Sequence, residues 1–251
     1  MTTDFSGAAD DFFVNLSLQT TLALPDSRET VLHFCEALQK EFTGMTSFYQ
    51  RDTGEFVLEG DRDSGSYQWL EIQPRRLAAG YFNPPDVQDA YKLLRWILDR
   101  SVYFLGISGL DVECLDVLFG FNLEFVGNRD AVVTEALASG SPLGALAGAG
   151  LGKPIEFEPS LVIALDDDCY LQARLSLETR SSSYQVRTGR YDEEPISIYF
   201  TIRRYPEIGK VMNFVSSFAR QCELCEELAE RIVVPNIIQP IAAAISASGS
   251  Q

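Results

Sequence analysis

The chain of 251 residues has a single histidine, His33, and only 20 basic residues against 36 acidic ones. Its formal net charge is −16, with an isoelectric point of about 4.4. A surface this acidic repels phosphate backbones and anionic lipid headgroups, so neither nucleic acid nor a membrane surface is an expected partner. One histidine, pointing away from the apolar stripe of its own helix, gives Ser-His-Asp or Cys-His catalysis little support. No run of about 18 apolar residues occurs, so no transmembrane helix is expected. The opening MTTDFSGAADDFF lacks the basic and apolar stretches of a secretory signal. Five cysteines are an odd number in a chain much longer than a disulfide-stapled scaffold. Reduced thiols and a cytoplasmic location are expected.

The motifs that carry chemistry are also missing. A P-loop needs GxxxxGK[ST], so that amides and a lysine surround phosphates while a hydroxyl holds magnesium. Gly152-Lys153 has Ala147 at the position of the first glycine and Pro154 where the hydroxyl belongs. Ser139 to Gly152 therefore reads as a flexible insertion. Cys222 and Cys225 form a CxxC, but no second pair completes a zinc site. They continue the spacing Val211, Val215, Phe218, Cys222, Cys225, Ala229, Ile232, steps of four and three that define the apolar seam of a helix. Asp166-Asp167-Asp168 lacks the glycine and closing glutamate of a calcium loop and reads as a solvated turn. No catalytic residue, metal ligand or cofactor is assigned.

What the chain does have is an ordinary globular composition, 46% hydrophobic and 22% charged, enough to fold throughout. Residues 1–11 read as a flexible leader. Residues 12–104 read as a first α+β half and 112–235 as a second. Residues 236–251 read as an apolar segment, broken up by Pro235 and Pro240, with a small-residue tail. Val14 to Leu24 alternates apolar and polar residues, the period of a half-buried strand. Ser27 then offers a helix cap, and Val31, Phe34, Cys35 and Leu38 form the stripe that follows. Asp52-Thr53-Gly54 marks a hairpin turn, and strands are expected at 45–51, 55–59, 67–73 and 78–82. A helix begins near Asp86. After a crossover at 101–111, a strand from Leu115, a helix from Arg129, a hairpin turning at 166–168, a strand over 184–187 and a strand over 196–203 are expected. A long helix over 210–232 ends the second half.

The two halves echo one another. An offset of 101 residues places Leu16, Leu18 and Leu22 over Val117, Phe119 and Leu123, and an offset of 130 places Leu70 and Ile72 over Phe200 and Ile202. The expected fold is α+β: two similar β-α-β(3–4)-α halves, antiparallel sheets side by side with helices on one face, and a pseudo-twofold duplication. Strand, helix, four strands, helix resembles the element order of each half of the TATA-binding-protein fold. That comparison rests on order alone, and the acidic charge argues against its function.

The arginine pairs Arg75-Arg76 and Arg203-Arg204 end the two echoed strands and are the candidate ligand- or partner-binding residues. Arginine forks suit carboxylates and phosphates; the competing role is ion pairing with the chain's own excess acid. The expected function is a non-enzymatic protein-interaction or chaperone-like module, with a protein partner or self-association. The alternatives are a binder of a small anionic ligand in the groove between the halves, and an enzyme with a carboxylate and arginine site.

Overall fold

The computed structural model describes residue 5 and residues 7–248. Its frame is one antiparallel sheet of nine strands. These are β1 (Asp11–Thr20), β2 (Ser47–Gln50), β3 (Phe56–Glu59), β4 (Tyr67–Gln73), β5 (Arg76–Phe82), β6 (Val112–Leu123), β7 (Ser160–Ala164), β8 (Leu171–Glu178) and β9 (Ile196–Arg204), in the spatial order β2-β3-β4-β5-β1-β6-β9-β8-β7. The expectation of two sheets side by side is corrected to a single sheet. β1 and β6 pair along almost their whole lengths, with Leu16 opposite Val117, so no sheet edge separates the halves. The 130-residue echo is corrected as well. β4 lies third from the centre on its side, whereas β9 lies next to β6, so the arginine pairs do not end equivalent strands.

Helices cover one face of the sheet. α1 (Arg28–Glu41) is capped by Ser27, whose hydroxyl accepts from the Thr30 amide at 3.2 Å. α2 (Val87–Phe104) is capped by Asp86 in the same way, and α6 (Phe214–Leu228) by Asn213. Each cap satisfies an amide that the first turn leaves without a helical partner. The buried stripes of these helices meet Val14, Leu16 and Leu18 of β1 and Val117, Phe119 and Phe121 of β6 in one core. Gln221 is fully buried on α6 and donates to the carbonyls of Leu115 and Ile202, at 2.8 and 2.7 Å. That double bond fixes α6 across β6 and β9.

Part of the expected leader, residues 1–4 and 6, lies outside the described residues. Phe5 is buried against Phe12, Phe119 and Phe121. The expected strand at 184–187 is instead α5 (Ser183–Thr188), started by a capping box between Ser182 and Gln185. Within the glycine-rich run, Pro142–Ala147 forms a short helix, α4.

The prolines near the C-terminus do not interrupt the last helix. α6 continues through a π-helical segment, Ala229–Ile238, into α7 (Gln239–Ser248). Pro235 has no amide to give and its ring crowds the preceding turn of an α-helix; the wider π turn relieves both. The Asn236 side chain also donates to the Ile232 carbonyl at 2.8 Å. Val233, Ile238, Ile241 and Ala244 are buried, and α7 packs on α3 (Arg129–Ala138). The continuous helix Phe214–Ser248 is thus long and apolar enough to cross a membrane by length and composition alone, contrary to the sequence expectation. A core helix passes the same test.

The start of α3 holds the second half together. Arg129 is fully buried and donates to the carbonyls of Thr179, Asp192, Glu194 and Arg180. Beside it, Asp130 accepts from the Phe157 amide and the Thr179 hydroxyl. Replacing Arg129 with leucine strands the buried Thr179 carbonyl and removes the donor to the more accessible carbonyls of Asp192, Glu194 and Arg180. A buried unpaired carbonyl costs about 1–3 kcal/mol, so a loss of about that size is expected, read as a lower urea midpoint at unchanged m-value.

Candidate functional site

Among the described residues, no helix packs over the central strands on the second face of the sheet. Its side chains come from the alternate positions, and the register sets them in rows. One row runs Tyr67, Phe82, Phe13, Gly120, Tyr199 and Ser176 across β4, β5, β1, β6, β9 and β8. The next runs Trp69, Gly80, Asn15, Leu118, Thr201 and Arg174, and the third Glu71, Ala78, Ser17, Asp116, Arg203 and Gln172.

Two strand glycines shape this face. A Cβ on Gly120 would lie 2.1 Å from the Phe13 ring, and one on Gly80 would lie 2.1 Å from Asn15 Oδ1 and 2.6 Å from Trp69 Nε1. Their absent side chains let Phe13 and Trp69 lie flat on the sheet. Tyr67, Phe82 and Phe13 stack in sequence at 5.3 and 5.8 Å, and Tyr199 meets Phe13 edge-on at 6.3 Å.

Two adjacent grooves cross the face and share Asn15, Trp69 and Tyr199. The first, about 530 Å³, includes Arg51, Arg62 and Arg180, and the second, about 600 Å³, includes Arg76, Arg174 and Arg203. The acidic chain therefore gathers six arginines on one surface. Four are paired. Arg51 bonds Glu71 at 2.7 Å, Arg62 bonds Glu59 at 2.6 Å, Arg180 bonds Glu178 at 2.8 Å, and Arg203 grips both oxygens of Asp116 at 2.7 Å. The bonds to Asp116 hold Arg203 well above the ordinary arginine range, against the opposing effect of burial. Among the described residues, Arg76 has one side-chain bond, to the Ser17 hydroxyl at 2.9 Å, and no ion pair. Arg174 is exposed, with neither.

Arg180 reaches into the first groove from a left-handed backbone at φ 52°. There it also bonds Ser197 Oγ and Tyr199 OH, at 2.8 and 2.7 Å. Such a conformation is held at a non-glycine residue only when its surroundings fix it.

The four arginines singled out in the sequence divide. Arg76 and Arg203 come together in the second groove. Arg75 sits exposed in the turn between β4 and β5, and its carbonyl accepts from the Thr20 amide. Arg204 bonds Glu207 and Asp166. Internal pairing is therefore realised at Arg203 and Arg204. Sequence reasoning missed Arg174, Arg180, Arg51 and Arg62. A signal for Arg174 and Arg203 was present, because they share strand phase with Gln172 and Ser176, and with Tyr199 and Thr201.

No protein-family model matches the chain, and no curated protein matches it.

The other candidate chemistry lies in the core. Cys222 and Cys225 are buried where α6 meets the sheet, and the Cys225 thiol donates to the Val117 carbonyl at 3.6 Å. Burial pushes both thiols up, and it pushes Cys35 to about 12 and Cys114 to about 11. A thiol so raised supplies almost no thiolate at neutral pH. Among the described residues no cluster of three or more His, Cys, Asp or Glu side chains is arranged to hold a metal.

Cys169 is the exposed thiol. At pH 8, a disulfide reagent such as Ellman's should titrate one fast equivalent from the native chain and five after denaturation. Cys169→Ser should remove the fast one. Two or more fast native equivalents would contradict the burial of the others.

Proposed function

We propose that the protein is a non-enzymatic interaction module that holds an acidic segment of a partner protein against the open face of its sheet. The observation that carries the reading is the pairing of an uncovered aromatic row with two arginines, Arg76 and Arg174, that have no internal carboxylate. Aromatic and arginine side chains are the usual anchors of protein interfaces. A hydrogen bond to a charged group contributes about 1.5–3 kcal/mol. The chain's bulk negative charge weighs less, since exposed charges more than about 8 Å away are screened at physiological ionic strength. Local guanidiniums therefore decide the sign of the ligand.

An enzymatic reading needs a carboxylate free to act. In the second groove the carboxylate is Asp116, held at both oxygens by Arg203. A second binding reading, a small anionic ligand, draws support from the size of that groove, about 600 Å³, and from the hydroxyls of Ser17, Ser176 and Thr201 that line it. We also read the sheet as two duplicated halves meeting at β1 and β6. The support is a strand order that repeats outward from the centre, β1-β5-β4-β3 on one side and β6-β9-β8-β7 on the other. Five free thiols fit a cytoplasmic setting.

Trp69 lies on the face and reports on it. A glutamate-rich nine-residue peptide with a central Phe-Leu should shift Trp69 emission, with weaker binding as salt rises. Converting Arg76 and Arg174 together to alanine should weaken it at least tenfold. An unchanged affinity in that double variant would refute the reading. Tighter binding of citrate or inorganic phosphate than of the peptide would assign the groove to a small anion instead.

A further inference from the structure

The sheet ends differently on its two sides. The β2 edge is four residues long, begins and ends on Ser47 and Gln50, and runs into Arg51. The β7 edge is SLVIA, exposed at every position, with Leu161 63%, Val162 52% and Ile163 48% accessible. It carries no lysine, proline or inward charge, the devices that protect exposed edges.

The hydrogen-bond phase of this edge is fixed. Leu177 N donates to the Pro159 carbonyl and Leu165 N to the Leu171 carbonyl, at 3.2 and 2.8 Å. In an antiparallel ladder the bonded residues alternate. The odd-numbered residues therefore bond β8, and Ser160, Val162 and Ala164 turn their amides and carbonyls outward. Leu161 and Ile163 project to one side of the sheet and Val162 to the other.

Charge decides what completes the edge. Glu156 and Glu158 precede β7, and Asp166, Asp167 and Asp168 follow it. A second copy paired antiparallel about Val162 would set Glu158 against Asp166 and Glu156 against Asp168. A parallel copy in register would set each acid against itself. Like charges directly opposite are destabilising across strands, so self-pairing is opposed in both directions. We propose that β7 receives an extended strand from a partner protein, with an apolar centre and lysine or arginine at both ends. The main chain of that strand bonds Ser160, Val162 and Ala164, its apolar side chains cover Leu161 and Ile163, and its basic ends meet the two acidic flanks. This is strand addition at a sheet edge, with charge setting the choice of partner. Val162 lines the second groove, so this edge borders the open face, and strand addition there goes beyond the function proposed for that face.

The test uses the full chain and a fluorescein-labelled peptide, KKTVTVTKK, followed by anisotropy at 50 and 300 mM salt. Saturable binding that weakens with salt is expected, with at least tenfold weaker binding of EETVTVTEE. Val162→Pro removes an outward amide without breaking a bond to β8, and should abolish binding of the basic peptide while leaving the far-UV circular dichroism of the chain unchanged. Should that variant fold poorly, Asp167→Lys with Asp168→Lys, in the exposed turn, should weaken the basic peptide at least fivefold. Equal binding of both peptides, or undiminished binding by both variants, overturns the proposal. So does a concentration-dependent dimer lost in Val162→Pro, which would assign the edge to a second copy.

Discussion

The pairing of β1 with β6 is the constraint on which the rest depends. It joins strands from opposite halves of the chain in antiparallel register from Asp11 opposite Asn122 to Thr20 opposite Val112. A slip of one residue would turn Val14, Leu16 and Leu18 out of the core and bring Phe13, Asn15 and Ser17 into it. The register is therefore fixed by burial on the helix side. The open face inherits it. Phe13 lies over Gly120, and Ser17 lies beside Asp116, which holds Arg203, because Leu16 faces Val117.

Much of the local structure was legible. The alternation in β1, the caps at Ser27 and Asp86 and the Asp52-Thr53-Gly54 turn are short-range signals, and the chain obeys them. The seam through Cys222 and Cys225 likewise predicted a buried face from Phe218 to Ala229, whereas at its ends Val211 precedes α6 and both Val211 and Ile232 are exposed. Strand order was not legible, because a period-two pattern says which residues share a face and nothing about which strand lies beside which. Arg129 was not legible either. A charged residue at a helix start reads as surface, and only the distant carbonyls of Thr179, Asp192 and Glu194 make its burial affordable. Ser182 and Gln185 did carry a capping-box signal, which β-forming Tyr184 and Val186 obscured.

The candidate face was half legible. Arg203 stood out as one of a pair, yet half of each pair proved incidental. Arg75 falls in the turn between β4 and β5, and strand alternation sends Arg204 away from the groove that Arg76 and Arg203 share. The aromatic row was harder still, since its flatness depends on Gly80 and Gly120 lying under rings supplied by other strands.

The central pairing also sets an order of events during synthesis. β1 is complete at Thr20, and its partner begins at Val112. At ribosomal rates of about 5–20 residues per second, roughly 5–20 s pass before β6 can meet it. In that interval β5 can close one side of β1, and the other side presents a bare edge of alternating apolar residues. The nascent first half is therefore an open sheet awaiting its centre, and prompt delivery of β6 matters as much to the protein's recovery as the stability of the finished fold.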